Sequence, residues 1–471
     1  MIIYFSENPE AIIGEQTAKL FAQDDFDHTC AIQFNFHQYY LVEPSDIELI
    51  ALVHLAKKNS CIEICAAIFL DNESLRLAIK SLGDELSALQ SFAQKHQTPW
   101  LNLSTPLTLE PIKIPKPWGQ EIWYTGIEAR GQANIIAQGF ATPLPWVLAL
   151  MPEYLSAGLH KKITLLKTLD PLPAEVYGDL YFELHEKKQE VYIVTHIDEQ
   201  AWKNNIGAIR LGFDKTLREQ YQDDKQFKAA YLKATQEYET IRRTIDVLFD
   251  LERVKNGIAL NVAIDCDTLT QWQKNLPLAL IEQEQQARDY MNTFSALYPL
   301  AVGDVVKVPC YVPHALQHGV RTLEFQTPVY ERKILSFAQR VLTQSHWDTE
   351  EALENALCDA PEAAALVMLF ATENETIKVE EVVRFDDFCL VRVSLAALAT
   401  YSLPAQDSYG LVMPIAGPCN ILSAAFELNV VAETAIFIPH ALMSNRHESL
   451  WLSAGDVAVQ VLVATAISLG S

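Results

Sequence analysis

A helical stretch interrupts a series of strand-like segments, and this order limits the folds open to the chain. Segments such as "KKITLLKTLDPLP" and "GDLYFELHEKKQEVYIVT" give residues 118–200 an extended pattern. Residues 201–298 change to a helical period, because apolar side chains in "YLKATQEYETIRRTIDVLFDLE" recur at steps of four and three, at Ala234, Tyr238, Ile241, Ile245 and Leu248. Strands return in "YPLAVGDVVKVPCYVPHAL" and "GVRTLEFQTPVY". The two β-rich parts are therefore predicted to form one sheet system with an inserted helical domain.

The first 104 residues predict a separate α/β unit of unknown role. "CAIQFNFHQYYLV" and "CIEICAAIFL" are rich in β-branched and aromatic residues, which indicates strands. Between them, "PSDIELIALVHLAKK" carries a Ser45-x-x-Glu48 capping box and predicts a helix. "NESLRLAIKSLGDELSALQSFAQKH" predicts one long amphipathic helix. The proline-rich stretch 104–117 then predicts a linker into the next domain.

The end of the chain predicts a connecting helix and a second, degenerate β-barrel. "IPHAL" at 438–442 echoes "VPHAL" at 312–316, but aligning "ETAIFIP" with "GDVVKVP" places His440 opposite Cys310. The second barrel is therefore expected to repeat the fold of the first without its functional histidine. The predicted fold class is mainly β with α insertions, built from jelly-roll barrels. The predicted domains are 1–104, a barrel of 105–200 plus 299–347, a helical insertion of 201–298, and 348–471.

The charge balance excludes several classes of partner. The 471 residues carry a net charge of −24, whereas nucleic acids and anionic membrane surfaces bind clustered cations, so we expect neither partner. No apolar run approaches the roughly 20 residues of a membrane span, and "MIIYFSENPE" lacks the basic start of a signal peptide. The eight dispersed cysteines indicate reduced thiols. We expect a cytoplasmic protein, and its oligomeric state stays open.

Three side chains suited to metal binding lie close together in "ELHEKKQEVYIV" at 183–194. Alternation along a strand points Glu183 and His185 to the same face. Glu190 can face the same interior from the following strand if the chain turns at 186–188. Two adjacent strands of a small barrel are then predicted to bring two carboxylates and an imidazole to one position, which is the outline of a site for a divalent metal.

This stretch and a later one resemble the paired motifs of the cupin family. In cupins, H-x-H followed three or four residues later by Glu forms the first motif, and G-x5-P-x-G-x2-H forms the second. The matching stretches here read Glu183-x-His185-x4-Glu190 and Gly303-x5-Pro309-x-Tyr311-x2-His314. Glu183 replaces the usual His, and Tyr311 replaces the usual Gly. A different turn is expected at Tyr311, because a positive φ is costly for a residue with a Cβ.

Within the cupins, the closer resemblance is to the type I phosphomannose isomerases, zinc enzymes that interconvert mannose 6-phosphate and fructose 6-phosphate. Their first motif, Q-V-H-P…K-T-E-C-W-Y, is matched by "ELHEKKQEVYIV", with Glu183 in place of the Gln. Their second, P-A-G-T-P-H-A-L…G…L-E-x-Q…Y-R, is matched by "PCYVPHALQHGVRTLEFQTPVYER". The family also carries a Trp-Gly pair, like Trp118-Gly119, and an inserted helical domain. The resemblance spans roughly 115–335 and leaves residues 1–104 outside.

The resemblance implies a ligand set and roles for neighbouring side chains. It implies Zn²⁺ as the metal, with Mn²⁺ or Fe²⁺ as other options. The implied ligands are Glu183, His185, Glu190 and His314. It assigns catalytic roles to Lys188, Glu324 and Arg332. Binding of a small sugar phosphate is assigned to Gln326 and the nearby cations Lys187, Lys188, Arg332 and Lys333. A divalent ion polarises the sugar carbonyl during aldose–ketose exchange, and the identity of the base stays open.

Each of these residues also has a structural explanation when it is taken singly. His314 after a proline could be a capping or core histidine. Glu183 and Glu190 could face solvent, and Lys187 and Lys188 could belong to a solvated turn. Two further functions also stay open. One is an isomerase or epimerase for another sugar, and the other is a sugar-binding protein without catalysis.

Overall fold

The computed structural model has a mainly β fold, as the sequence predicts. It describes the following residues, apart from the side chains at 58 and 61: 1–22, 27–41, 43–58, 61–129, 131–159, 162–260, 262, 264–339, 346–359, 366–444 and 449–467. Strand makes up 38% and helix 25%, so the predicted fold class is confirmed. Within the described ranges the strands form open sheets and none closes into a barrel. Open sheets of this kind are compatible with the double-sheet form of a jelly roll.

The chain folds into two compact units. The first comprises Met1–Ile112, Trp123–Leu165 and Leu366–Ser471, and the second comprises Lys113–Ile122 and Leu166–Ala365. The predicted division into four parts stays a prediction. The stretch predicted as a linker contains two short strands, and the boundary between the units falls inside it.

An N-terminal sheet of five strands forms one part of the first unit. Its strands, in spatial order, are Ile3–Phe5, Asp27–His37, Asp46–Lys58, Cys61–Leu70 and Leu101–Asn102. The first pair is parallel and the other pairs are antiparallel. The helices of this part are Pro9–Phe21, Glu73–Lys80 and Leu86–Lys95.

Two predictions for this N-terminal part are wrong. The helix predicted from Ser45 is the strand Asp46–Lys58, which pairs with a strand on each side. Its apolar residues are buried on both faces of the sheet, and burial of this kind outweighs a local capping box. The long helix predicted from Asn72 is two helices separated at 81–85. Gly83 lies in the break, and glycine costs about 1 kcal/mol inside a helix.

Three further sheets complete the first unit. The largest has nine strands in the order Phe140–Pro143, Asn134–Ala137, Leu107–Glu110, Ile436–Ile438, Gly410–Ala416, Val459–Ala466, Phe388–Leu395, Ile377–Arg384 and Val367–Ala371. A four-stranded sheet contains Thr400–Ser402, Trp451–Ala454, Cys419–Leu422 and Glu427–Val430. A two-stranded sheet pairs Gly131–Gln132 with Ile127–Glu128. Short helices lie at Leu144–Leu148, Glu153–Ser156 and His440–Met443.

Two sheets form the β part of the second unit. One contains Val305–Val308, Glu190–Ile197, Val320–Gln326, Leu165–Pro171, Gly119–Trp123 and Ile112–Lys116. The other contains Ser295–Leu300, Gly207–Phe213, His314–Leu316, Phe182–Leu184 and Lys333–Ser336. Both contribute to one apolar core, with Tyr192 and Val306 from the first sheet and Leu184 and Leu211 from the second. The two β-rich parts of the sequence therefore share sheets.

The helices of the second unit are Lys215–Arg218, Asp224–Lys255, Cys266–Gln273, Leu278–Asn292 and Thr349–Asn355. In the long helix Asp224–Lys255, Ala234, Tyr238 and Ile245 of the predicted apolar face are buried. Ile241 and Leu248 are only half-buried. Arg242 and Asp246 are buried on this helix instead, because Arg242 Nε pairs with Asp246 Oδ1 at 2.8 Å and Arg242 Nη1 donates to the carbonyl of Ala338 at 2.8 Å. Each charge therefore has a partner, as burial of an ion requires.

Two predictions made from the composition concern membrane-spanning segments and the state of the cysteines. Among the described segments, no helix is both long enough and apolar enough to cross a membrane. The thiols of Cys30, Cys65, Cys266, Cys310, Cys358, Cys389 and Cys419 are free. The Cys61 side chain lies outside the described part of the chain. The cytoplasmic location and the absence of a nucleic-acid partner stay predictions.

Candidate metal centre

Three of the predicted ligands meet inside the second unit. Glu183 and His314 lie directly opposite each other on neighbouring antiparallel strands, so their side chains emerge on the same face. His185 is the first residue after the strand Phe182–Leu184. One ligand atom each from Glu183, His185 and His314 lie within 4.8 Å of one another. Both histidines are buried, and the side chain of Glu183 is 18% exposed.

Glu190 reaches the same place from the other sheet of the unit. The chain bends at 186–187 and Glu190 begins the strand Glu190–Ile197. Its Oε1 lies 2.7 Å from His314 Nε2 and 3.6 Å from His185 Nε2. The same oxygen accepts from the Tyr192 hydroxyl at 2.5 Å, while Oε2 lies 2.7 Å from Lys188 Nζ. The structure thus brings all four predicted ligands together, although their role as ligands stays a proposal.

Several buried atoms of this cluster make no hydrogen bond. Among the residues that the structure describes, these are both ring nitrogens of His185, His314 Nε2, and one carboxylate oxygen of Glu183. His314 Nδ1 lies 3.1 Å from the carbonyl oxygen of Val312, so this nitrogen carries the proton in the neutral ring and Nε2 carries the lone pair. A lone pair at 2.7 Å from a carboxylate oxygen is unfavourable unless the two atoms share a proton or a metal cation. The donor set therefore fits a divalent cation.

The pKa shifts favour the ligand forms of these groups. Burial alone would raise the pKa of Glu183, but His185, Arg332 and Lys188 outweigh it and lower the pKa. Burial is likewise outweighed at Glu190, whose pKa is held well below its usual value chiefly by Lys188 and His185. Burial lowers the pKa of His185. At neutral pH the carboxylates are therefore ionised and the imidazole of His185 is neutral, which are the states that bind metals.

Tyr311 keeps the backbone conformation that glycine would take. The sequence predicts a different turn here, but Tyr311 has φ 65°. Its backbone N–H donates to the carbonyl of His185 at 2.7 Å, and its carbonyl accepts from the N–H of Leu357 at 2.9 Å. These bonds offset part of the cost of a left-handed residue, about 1–2 kcal/mol. The turn therefore holds His185 through the backbone, and the expectation that it differs from the turn of the family stays a prediction.

A second buried group of charges lies on the same sheet as Glu190. Glu324 lies opposite Tyr192 on the neighbouring strand, so these side chains share a face of the sheet. Lys167 Nζ lies 3.1 Å from Glu324 Oε2 and 3.9 Å from Glu121 Oε1. Glu121 Oε2 in turn lies 2.9 Å from Lys116 Nζ. Acids and bases alternate in this group, which is how buried charges offset their desolvation.

Burial and like charge set the proton affinity of Glu324. Burial first, and then the negative charge of Glu190, raise its pKa to about 8, although Lys167 and Lys188 oppose this shift. Burial would lower the pKa of Lys167, but Glu324 and Glu121 outweigh it and raise the pKa. A carboxyl group with such a pKa gains and loses its proton near neutral pH, as general acid–base catalysis requires.

We expect Lys167→Met to destabilise the protein strongly. The substitution leaves Glu324 and Glu121 without a shared cation, and removing one partner of a buried ion pair costs about 3–5 kcal/mol. The cost should be larger at pH 8 than at pH 5, because carboxyl groups left alone take up protons more easily at the lower pH. Urea unfolding at both pH values measures it. Lys113→Met, at an exposed position, is the control, and equal stability of the two variants would contradict the expectation.

The residues predicted to bind substrate have different surroundings. Lys188 is buried and pairs with Glu190, and Gln326 is buried with its Nε2 donating to the Thr327 carbonyl at 3.3 Å. Arg332 is half exposed, with its guanidinium over the Tyr181 ring at 4.6 Å and 4.0 Å from Glu183 Oε2. Lys333 pairs with Glu186 at 2.7 Å and Glu351 at 2.9 Å, whereas Lys187 is exposed.

Trp118 and His318 lie apart from the metal cluster. Trp118 is buried in the apolar core of the second unit. His318 pairs with Asp179 at 2.7 Å and stacks on Trp202. Lys167 and Tyr192 are parts of the site that no motif in the sequence indicates. A lone lysine in the apolar run "ITLLKTL" is the signal that could have indicated Lys167, because an unpaired cation is rarely placed in a core strand.

Two open sheets with a buried cluster of histidines and carboxylates between them are consistent with a jelly-roll fold of the cupin type, and the cluster is a possible metal site. No protein family and no curated protein matches the chain at the sequence level. Solved structures with this fold include a zinc-bound mannose 6-phosphate isomerase, with TM-score 0.53, 12% identity, and coverage of 77% of this chain and 99% of the other. A point variant of phosphomannose isomerase from Salmonella typhimurium gives TM-score 0.54, 14% identity and coverages of 77% and 99%.

The mannose 6-phosphate isomerase from Bacillus subtilis gives TM-score 0.50, 11% identity and coverages of 76% and 99%. At such identities the likeness shows the fold. The resemblance predicted from the sequence motifs is therefore confirmed for the fold.

Proposed function

We propose that the chain is a metal-dependent aldose–ketose isomerase that interconverts mannose 6-phosphate and fructose 6-phosphate through an enediol or enediolate. The observation that carries the proposal is the convergence of Glu183, His185 and His314 on one position, with Glu190 in contact. The fold supports the same reaction class, because structures described as mannose 6-phosphate isomerases share it.

Glu183, His185, Glu190 and His314 would hold the metal. Two imidazole nitrogens and two carboxylates suit Zn²⁺, and Mn²⁺ or Fe²⁺ are alternatives. When bound, a divalent cation polarises a sugar carbonyl and stabilises the negative charge of an enediolate. The chain orients its own ligands: the Val312 carbonyl holds the ring of His314, and the Tyr192 hydroxyl holds Glu190.

Glu324 is our candidate for proton transfer between C1 and C2 of the open-chain sugar. It is buried on the sheet face that carries Glu190, and its pKa of about 8 lets it exchange a proton near neutral pH. Lys167, 3.1 Å away, stabilises its ionised form. Lys188 and Arg332 would stabilise the charge that develops on the substrate oxygens.

The charges near the site also support a second candidate, an isomerase or epimerase for a sugar without a phosphate. Three of the four cations proposed for phosphate binding already face carboxylates: Lys188, Arg332 and Lys333. Among these four, Lys187 alone has no ion pair within the described part of the chain. Glu183 adds a further negative charge. An unphosphorylated sugar would need no free cation.

The test combines metal analysis with proton exchange in heavy water. We expect about one zinc ion per chain and incorporation of deuterium at C2 when mannose 6-phosphate is the substrate. Exchange with mannose but not with its phosphate would replace the first candidate by the second. Binding of sugar without exchange would indicate a non-catalytic protein. Full activity of the metal-free protein would overturn both enzymatic candidates.

A further inference from the structure

A large cavity lies within the first unit, formed by residues that belong to that unit alone. Its volume is about 580 Å³. We call it the N-terminal cavity, and its polar lining includes Asn72, Ser74, Lys95, His96, Thr98 and Trp146. The apolar lining includes Ile68, Phe69, Leu70 and Pro143. A cavity of this size with a mixed lining is typical of small-molecule sites.

The N-terminal cavity has a favourable charge for an anion. No carboxylate belongs to its described lining, although the chain carries a net charge of −24. Lys95 lies at the rim, is exposed, and makes no ion pair with residues that the structure describes. The nearby Asp71 is paired with Arg76 and accepts from Gln33 at 2.8 Å. Glu73, the first residue of the adjacent helix, is exposed.

Unused hydrogen-bond donors point to the same kind of ligand. Trp146 Nε1 is buried and has no acceptor in the described structure. The helix Glu73–Lys80 begins at the cavity, where the Asn72 side chain accepts from the N–H of Leu75 at 2.9 Å. The amides before Leu75 have no acceptor inside the helix, and such amides attract anions. The indole donor is independent of the helix terminus.

The apolar wall suits a flat ring. Phe69 packs against His96 with ring centroids 5.9 Å apart, and His96 lies 4.4 Å from Phe92. Leu70 is 60% exposed beside them. Because the lining combines hydrogen-bond donors, a cation and aromatic rings, we propose that the cavity binds a nucleoside phosphate. The phosphate would lie near Lys95 and the helix start, and the base would lie against the aromatic wall.

The proposal is independent of the isomerase function and is tested on the full chain by isothermal titration calorimetry. The probes are the four ribonucleoside 5′-monophosphates, the matching nucleosides and inorganic phosphate. We expect at least one monophosphate to bind about tenfold or more tightly than both its nucleoside and phosphate alone, because a charge-assisted contact and a stacking contact are then made together. Equal affinity for the monophosphate and for phosphate alone, or no binding of any monophosphate, would overturn it.

Matched variants locate the site. Lys95→Glu should weaken monophosphate binding about tenfold or more, because it places a negative charge beside the phosphate. Lys80→Glu is the control, since Lys80 is also exposed, also lies in the last turn of a short helix, and does not line the cavity. Trp146→Phe keeps an aromatic ring and removes the N–H, and should also weaken binding. Equal affinities of Lys95→Glu and Lys80→Glu would place any binding elsewhere and overturn the assignment.

Discussion

The His314→Ala variant is expected to lose both its metal and its turnover. His314 supplies the ring nitrogen that lies 2.7 Å from Glu190 and within the cluster of Glu183 and His185. A metal contributes several kcal/mol of transition-state stabilisation, and each 1.4 kcal/mol is a factor of ten in rate. We therefore expect kcat/KM for mannose 6-phosphate to fall by about a thousandfold or more. Elemental analysis and an isomerase assay on the same sample measure the two losses.

His196→Ala is the matched control for this variant. His196 lies on the strand Glu190–Ile197, close in sequence to the cluster, but its side chain is exposed. The control should keep its metal and its activity. Far-UV circular dichroism of both variants separates loss of metal from loss of fold. If His314→Ala retained a full complement of metal and the activity of the control, the proposed ligand set would be wrong.

Part of the metal cluster can be predicted from the sequence, because side chains alternate regularly along a strand. Glu183 and His185 are two residues apart, and the resemblance of the second motif to that of the cupins indicates His314. The structure adds what spacing does not contain: the chain bends after His185, so Glu190 comes from the opposite sheet and not from a hairpin partner. The sequence predicts two adjacent strands joined by a turn at 186–188. The predicted adjacency is wrong, because the two strands belong to different sheets and a local pattern does not say which sheet the next strand joins.

The residues that sequence patterns fail to place are mainly buried charged residues. Lys167 and Arg242 lie in the interior because each has a carboxylate partner, Glu324 and Asp246 respectively. Glu324 is distant in sequence from Lys167, whereas Asp246 lies one helical turn from Arg242. A prediction from apolar periodicity assigns charged residues to the surface. It therefore places Ile241 and Leu248 on the buried face of the helix, whereas Arg242 is the buried residue in the structure. Tertiary pairing of charges is the information that a single sequence lacks.

The strand Asp46–Lys58 shows the same limit for secondary structure. Its sequence has a capping box and a long apolar run, which fit the start of a buried helix as well as a central strand. The partners Asp27–His37 and Cys61–Leu70 decide the outcome, because they supply hydrogen bonds on both edges. Long-range pairing therefore overrides a local helix signal here.

Glu324→Gln should abolish most turnover and leave the metal in place. If Glu324 transfers the proton, its amide replacement removes a contribution of about 10²–10⁴-fold in kcat. Zinc content should not change, since Glu324 is not one of the four proposed ligands and glutamine keeps nearly the same size. Loss of exchange at C2 in heavy water, with zinc retained, is the expected result. Unchanged kcat would exclude Glu324 as the acid–base group and leave Lys188 or Arg332 to be tested.

The same variant should also change how the stability of the protein depends on pH. In the folded metal-free protein the pKa of Glu324 is raised from 4.5 to about 8, so the folded state holds this proton more tightly than the unfolded state. Its contribution to stability is fully present below pH 4.5 and is lost as the pH rises through 8. Glutamine does not ionise, so the melting temperature of the variant relative to the natural protein should rise with pH across this window. Glu354→Gln, at an exposed position, should show no such trend, and a pH-independent difference for Glu324→Gln would mean that burial does not raise the proton affinity of this carboxyl group.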